Sequence, residues 1–585
     1  MAQGAFHGAV LRRHGPADEP IFSLIWPANP PNSSDVAPAG AAAKEPNVPT
    51  VRPTDHRLVK STLFAAATCI AAVFAAAPFA AADPASVPPA PGLSGPELGA
   101  PRAFSFDMLA SRAAALAARP YAPTPVHQPE VLEKIDYDAH WKIFFRPETS
   151  LMIGDTAAQF FHLGTYFRQP VKIFAVEDGT ARELVYSTGY FDMPEDSPAH
   201  ALQPDAGFAG FRLMRPDMKT DWISFLGAAY FRSDGALKQY GLSARGIALN
   251  TGMSVPEEFP RFTEFYLEPG PDGRTIVNAL LDGPSVAGAY RMVLGDQPGQ
   301  GQIMDITARL FFRAPVERLG IAPLTSMFWY SESNRFQSAD WRPEVHDTDG
   351  LMIETGAGEH IWRPLNNPDR VVTSSYFDQD IKGFGLIQRD RDFENYQDDG
   401  VFYDKRPAVW VEPTSPWGAG AVQLIEIPTD DEIFDNIVAF WNPETKPQAG
   451  DEMTFSYRLH WTATPPVEMK LAHTVATRIG NGGVPGQPRP KDQIKVVVDF
   501  EGPALKGLTR KDGILPKVSA PQGVVIINPF VLPVVGTDRW RMVFDLKAPP
   551  GTETVDLRAF LTRKGKPLTE TWLGQIHPDQ IERLR

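Results

Sequence analysis

Apolar and polar residues alternate along most of this chain, in short runs. QIMDITARLFFR at 302–313 sets apolar residues at alternate positions, the period of a strand with one buried face. VKIFAVEDGTARELVYS at 171–187 places Asp178-Gly179 between two such runs and predicts a hairpin. TIVNALLDGPSVAGAYRMVLG at 275–295 predicts a second. AVWVEP at 408–413, AVQLIEIP at 421–428 and EMTFSYRLHW at 452–461 continue the pattern. Helical spacing is clear only in FSFDMLASRAAALAA at 104–118, which Arg119-Pro120 ends. The 57 prolines fall mostly between the apolar runs. An all-β sandwich follows, rather than alternating β/α units.

The pattern breaks near 462–475, where YRLHW gives way to TATPPVE. Shorter strands follow: IKVVVDFEG at 494–502, GVVIINP at 523–529, RWRMVFDLKAP at 539–549, TVDLRAFLTRKG at 554–565 and TETWLGQI at 569–576. That density of short strands and turns predicts an immunoglobulin-like sandwich, in architecture only, since no cysteine pair is present. The expected organisation is an upstream extension with a leader at 1–82, a Pro/Ala-rich linker at 83–101, a large β-sandwich at 102–465 and the small one at 466–585.

The leader reading rests on one segment. Arg57 and Lys60 precede the apolar run STLFAAATCIAAVFAAAPF at 61–79, and Ala80-Ala81-Ala82 follow it. That is the order of a cleaved secretory signal, with the cut expected between Ala82 and Asp83. The alternative is a retained anchor, which Pro78 and the alanine content disfavour. Residues before Arg57 show no helical or strand period and are expected to lack fixed structure, so Met1 reads as a start placed upstream of the leader. Cys69, the only cysteine, lies inside the apolar run. A mature chain would therefore hold no thiol, which suits an oxidising periplasm.

With 56 basic and 70 acidic residues the net charge is −14. Such a chain repels phosphate backbones and anionic lipid, so nucleic acid is not an expected partner. A neutral polysaccharide is compatible.

Chemistry concentrates between Trp329 and Trp441. WRPEVHDTDG at 341–350, YDKRPAVWVEP at 403–413 and IPTDDEIFDNIVAFW at 427–441 mix carboxylates with Trp and Tyr. Sugars are held by aromatic faces and polar side chains, and paired carboxylic acids commonly cleave glycosidic bonds. Trp410 and Trp441 are candidates to stack on pyranose rings, though aromatic residues in β-proteins are more often core. The acidic stretch around Glu432 and Asp435 is either a solvated turn or a catalytic loop. His346-Asp347-Thr348-Asp349-Gly350 resembles the start of a calcium loop without its closing glutamate, so no metal is expected. There is no GxxxxGK[ST], HExxH or GxSxG.

Several long pieces carry a resemblance. APLTSMFWYSESN (322–334), WRPEVHDTDGL (341–351), WRPLNNP (362–368), KGFGLIQRDRDFENYQD (382–398), YDKRPAVWVEP (403–413), WGAGAVQLIEIPTDDEIFDNIVAFW (417–441) and PQAGDEMTFSYRLHW (447–461) stand in order. DYDAHWKIFFRPE (136–148) and ARGIALNTG (244–252) extend the match from about Phe104 onward. Together they resemble the periplasmic glucans biosynthesis protein G/D family, also written OpgG/OpgD and MdoG/MdoD. FYDKRP is similar to the D branch and QRDRDF to the G branch, so the branch stays open.

The resemblance implies a large galactose-mutarotase-like β-sandwich followed by a small immunoglobulin-like one. It implies a periplasmic protein that acts on the β-1,2-linked backbone of osmoregulated glucans as an inverting endo-β-1,2-glucanase or a transglycosylase. Asp435 matches the general acid. Asp347 matches a general base acting through a relay of water and hydroxyl, and Tyr403 is similar to a residue of that relay. Arg406 and Glu432 match residues lining the site. No cofactor is implied. The implied partners are the glucan, a membrane glucosyltransferase and a second copy of the chain. Two other readings stay open: a non-catalytic glucan-binding scaffold beside the glucosyltransferase, and a sugar epimerase suggested by fold analogy alone.

Overall fold

The computed structural model describes residues 95–578 apart from Pro298 and Ala339. The upstream extension, the apolar run at 61–79, the Ala82/Asp83 junction and the first part of the linker lie outside the described residues.

Two large sheets dominate the described residues. A 16-stranded sheet runs from Leu98–Ala103 at one edge to Ile514–Ser519 at the other. An 11-stranded sheet runs from Val372–Gln379 to Leu151–Ile153. Strand alternation sends every second side chain into the layer between them. Val409 and Val411 on Ala408–Pro413 lie in one apolar cluster with Leu459 and Trp461 on Glu452–Thr462. Val422 and Leu424 on Ala419–Glu426 and Ala439 and Trp441 on Ile437–Pro443 belong to the same cluster, from the other sheet. Burying a large apolar side chain of this kind contributes about 1.5–3 kcal/mol.

The local expectations hold. Lys172–Glu177 and Thr180–Leu184 form the first hairpin, with Glu177 opposite Thr180. Its two turn residues, Asp178 (φ 47°) and Gly179 (φ 72°), adopt the left-handed backbone that a two-residue turn demands. Thr275–Asp282 and Val286–Gln297 form the second hairpin, and Gly301–Phe312 extends it. The helix spans Phe106–Ala117, capped by Ser105, whose hydroxyl accepts the Met108 N–H at 3.2 Å. It lays Leu109, Ala110 and Ala113 against Phe174 and Tyr266.

The C-terminal strands also form two layers. His473–Asn481, Ile494–Glu501, Trp540–Lys547 and Val525–Pro533 make a four-stranded sheet. Val496, Phe500, Met542 and Phe544 from it share a core with Leu557, Leu561 and Trp572. The layer carrying those last three residues continues the long sheet. Thr571–Ile576 pairs in parallel with His360–Pro364, setting Trp362 beside Trp572. Local pattern does not reveal a parallel pairing between segments so far apart. No helix among the described residues is long and apolar enough to cross a membrane.

Candidate functional site

Loops at strand ends build the site. Asp347 follows the short strand Val345–His346, which pairs with Phe328–Tyr330. The Asp347 N–H donates to the Met327 carbonyl at 2.9 Å. Tyr403 opens the turn Tyr403–Lys405, and the Arg406 guanidinium lies 4.2 Å from its ring centre. Gly235 packs on the next residue: a Cβ there would lie 2.6 Å from the Pro407 Cβ.

Glu432 and Asp435 sit on the connection from Ala419–Glu426 to Ile437–Pro443. Two buried amides pin that connection. Asn436 Nδ2 donates to the carbonyls of Phe328 and Ile427, both at 2.9 Å, and its Oδ1 accepts the Phe328 N–H at 2.8 Å. Asn367 Nδ2 donates to the Thr429 carbonyl at 2.7 Å, and its Oδ1 accepts the Thr429 N–H at 3.0 Å. The acidic stretch is therefore a held loop rather than a freely solvated turn.

Direct contacts link four of the polar candidates in two pairs. Arg406 Nη1 forms an ion pair with Asp347 Oδ1. The Tyr403 hydroxyl donates to Glu432 Oε2. Arg342 grips Glu432 with both terminal nitrogens, and its Nη1 also donates to Asp398 at 2.8 Å. Asp347 and Tyr403 are buried. Burial lifts the Tyr403 phenol well above its ordinary range, and Glu432 and Asp347 add to the shift. Burial alone would lower Arg406, but Asp347 and Tyr403 outweigh it and hold the guanidinium charged. Arg406 Nε is buried with no hydrogen-bond partner among the described residues.

Asp435 keeps part of its surface open and is crowded by protein elsewhere. Burial raises its carboxyl above the usual range; Arg232, Arg245 and Arg406 pull it down, and Asp347 pushes it up. Both new arginines come from the 11-stranded sheet. Arg232, on Tyr230–Ser233, donates through Nε to Ser243 Oγ at 3.2 Å. Arg245, on Ser243–Arg245, donates to Thr325 Oγ1 at 2.9 Å and to Glu257 at 2.8 Å. The arrangement offers a carboxyl biased toward holding a proton, a second carboxylate fixed on a cation, and a buried phenol between charged groups. Those are the parts of acid–base chemistry.

The structure thus brings Asp347, Tyr403, Arg406, Glu432 and Asp435 into one electrostatic neighbourhood. Trp410 and Trp441 stand apart as sugar-stacking candidates. Trp441 is fully buried and packs 6.1 Å from Trp417 between the two sheets. Trp410 is 2% exposed and lies with Met352 and Trp362 on the other face of the long sheet. Strand alternation points both indoles into covered layers, so neither presents a ring face to a glucan. A cleft of about 640 Å³ that Trp410 helps to line holds none of the five polar candidates. Residue-by-residue reading missed Arg232, Arg245, Arg342 and Trp341. Their available signals were an arginine inside the aromatic strand YFRS and the aromatic–Arg pair of WRPE. Trp341 is 72% exposed and adjoins Arg342.

The family described as "Periplasmic glucan biosynthesis protein, MdoG" matches residues 104–576. The chain belongs to the MdoG family. It is similar to glucans biosynthesis protein D 2 of Ralstonia nicotianae, 49% identical over 502 residues, covering 83% of this chain and 92% of the relative. Glucans biosynthesis protein D of Stenotrophomonas maltophilia is 50% identical over 489 residues, 82% of this chain and 91% of the relative. The protein of that name in Xanthomonas campestris is 48% identical over 491 residues, 82% and 92%. All the residues of the candidate site fall inside the MdoG match. The family is one of periplasmic glucan biosynthesis.

Proposed function

We propose that this MdoG-family protein cuts or transfers the β-1,2-linked backbone of a periplasmic glucan by an anomer-inverting mechanism. The observation that carries the reading is the Asp435–Asp347 neighbourhood: one carboxyl biased toward the protonated form, near a second that is paired with Arg406. Asp435 gives its proton to the glycosidic oxygen as the bond to the anomeric carbon breaks. Water attacks that carbon from the opposite face, and its proton passes to Asp347 through an intervening hydroxyl. The β-linkage then yields an α-anomer at the new reducing end, or an exchanged linkage when a glucan hydroxyl replaces water. Tyr403 and Glu432 order the polar wall beside this path. Export to the periplasm by a cleaved signal, work beside a membrane glucosyltransferase, and pairing with a second copy belong to the same proposal.

A second reading has one observation in its favour. Asp347 is already engaged by Arg406, as expected of a structural ion pair in a non-catalytic glucan-binding protein. Incubation of purified protein with linear β-1,2-glucan separates the two. Shortened products with α-anomeric ends, lost in Asp435→Asn and Asp347→Asn, support the glucanase. Rearranged glucan without net hydrolysis supports transfer. Binding without any change of substrate supports the scaffold and refutes the catalytic roles.

A further inference from the structure

Four residues after the strand Gly383–Ile387 reach in two directions. Toward the site, buried Gln388 donates through Nε2 to the Tyr403 carbonyl at 3.0 Å and to the Tyr396 hydroxyl at 2.8 Å. Its Oε1 lies 3.2 Å from His346 Nδ1, and His346 directly precedes Asp347. Arg391 Nη1 donates to the carbonyls of Asp404 at 2.9 Å and Arg406 at 3.0 Å. Its Nη2 donates to the Ala463 carbonyl at 2.9 Å. Three carbonyls of the Tyr403–Arg406 turn are thus held by side chains from this one strap.

Toward the C-terminal sandwich, Arg389 donates to both oxygens of Glu570, at 2.6 and 3.0 Å. Glu570 is buried and also accepts the Thr474 N–H at 2.7 Å. The Arg389 guanidinium lies 3.6 Å from the centre of the Trp362 ring. Asp349 Oδ2 accepts the N–H groups of Arg389 and Asp390 at 3.0 and 2.9 Å, fixing the strap from below. The turn it supports has need of outside help. Phe402, just before Tyr403, sits at φ 50°, a backbone conformation that bulky residues seldom adopt.

We propose that Gln388 and Arg391 are positioning residues for the Tyr403–Arg406 turn, and that the C-terminal sandwich holds their strap in place through Glu570. As a statement about catalysis this rests on the glucanase reading; as a statement about the turn it does not. It gives the small sandwich a part in the site although none of the five polar candidates belongs to it. A shift of the turn would move both the phenol on Glu432 and the guanidinium on Asp347.

The test uses Gln388→Met and Glu570→Gln in the full chain. Turnover of linear β-1,2-glucan and amide hydrogen exchange over residues 398–407 are measured, with melting temperature as the folding control. Both variants are expected to lower kcat by about tenfold with KM within twofold, the pattern of a displaced transition-state contact. Exchange at 398–407 is expected to rise, while the hairpin at 275–297 stays protected. Wild-type kcat and wild-type exchange in the folded variants would overturn the proposal, whatever the change in melting temperature. If the wild-type protein turns over no glucan, the catalytic reading fails and the exchange data alone decide the positioning. If Glu570→Gln does not fold, Gln388→Met decides the positioning and Arg389→Lys, which loses the two-point hold on Glu570, decides the part of the sandwich by the same exchange readout.

Discussion

Arg342 holds Glu432 by two parallel hydrogen bonds, Nη1 to Oε2 at 2.9 Å and Nη2 to Oε1 at 3.0 Å. Glu432 in turn accepts the buried Tyr403 hydroxyl. The fork geometry fixes the carboxylate plane and therefore the phenol. Lysine offers one charge centre and cannot reproduce it.

Arg342→Met is accordingly expected to lower kcat on β-1,2-glucan about 10–100-fold, the loss of a charge-assisted hydrogen bond in the reacting geometry. Arg342→Lys should recover little of it. Reducing-end assays on both variants check this. Near-wild-type activity in the lysine variant would refute a role for the fork.

Asp435 makes a pH prediction with a definite sign. Its carboxyl is raised by burial, so the protonated form persists above the ordinary carboxyl range and activity falls as pH rises through the folded value. Arg232 opposes that shift by favouring the charged form. Arg232→Met removes a cation, raises the Asp435 carboxyl further, and moves the alkaline limb of kcat to higher pH. A limb that stays in place or moves to lower pH would refute the assignment.

Glu332 makes a stability prediction. Burial and nearby Glu344 push its carboxyl up to about 8, although it accepts the Thr477 N–H at 2.7 Å. A carboxyl in the unfolded chain titrates near ~4.3. Between those values the folded protein holds a proton that the unfolded chain has lost. Stability is therefore full below the unfolded value and declines as pH rises toward about 8. His346, raised through its hydrogen bond to Glu344 despite burial, acts in the same direction. Glu332→Gln keeps the acceptor and should flatten the decline in melting temperature between pH 5 and 9. An unchanged slope would refute the protonated state.

Two tryptophans should respond in opposite ways. Trp441→Ala opens a cavity between the sheets and is expected to cost about 3–5 kcal/mol of stability. Trp341→Ala touches an exposed ring and should leave stability within about 0.5 kcal/mol. Placed beside Arg342, it should instead weaken glucan binding severalfold. Denaturant melts and calorimetric titration with glucan separate the outcomes. Equal glucan affinity in Trp341→Ala would exclude that ring from the binding surface.

Period-two alternation was enough to read the strands at 302–313 and 452–461, because one buried face per strand leaves its mark in local order, while 275–282 and 408–413, covered on both faces, showed only as short apolar runs between turn residues. The helix at 106–117 was legible from its helical spacing, and the Asp178-Gly179 turn from two residues that tolerate positive φ. Asp347, Tyr403, Arg406, Glu432 and Asp435 came forward as candidates through family resemblance rather than through periodicity. Tertiary structure decided the rest. Strands such as Tyr230–Ser233 are buried on both faces, so their alternation vanishes and Arg232 gives no sign of facing Asp435. Trp410 and Trp441 look like sugar platforms until the second layer covers them, since exposure is a property of packed sheets and not of residue type. The hold of Glu570 on the strap beside Tyr403 depends on chain segments far apart in sequence, and only folding brings them within hydrogen-bond reach.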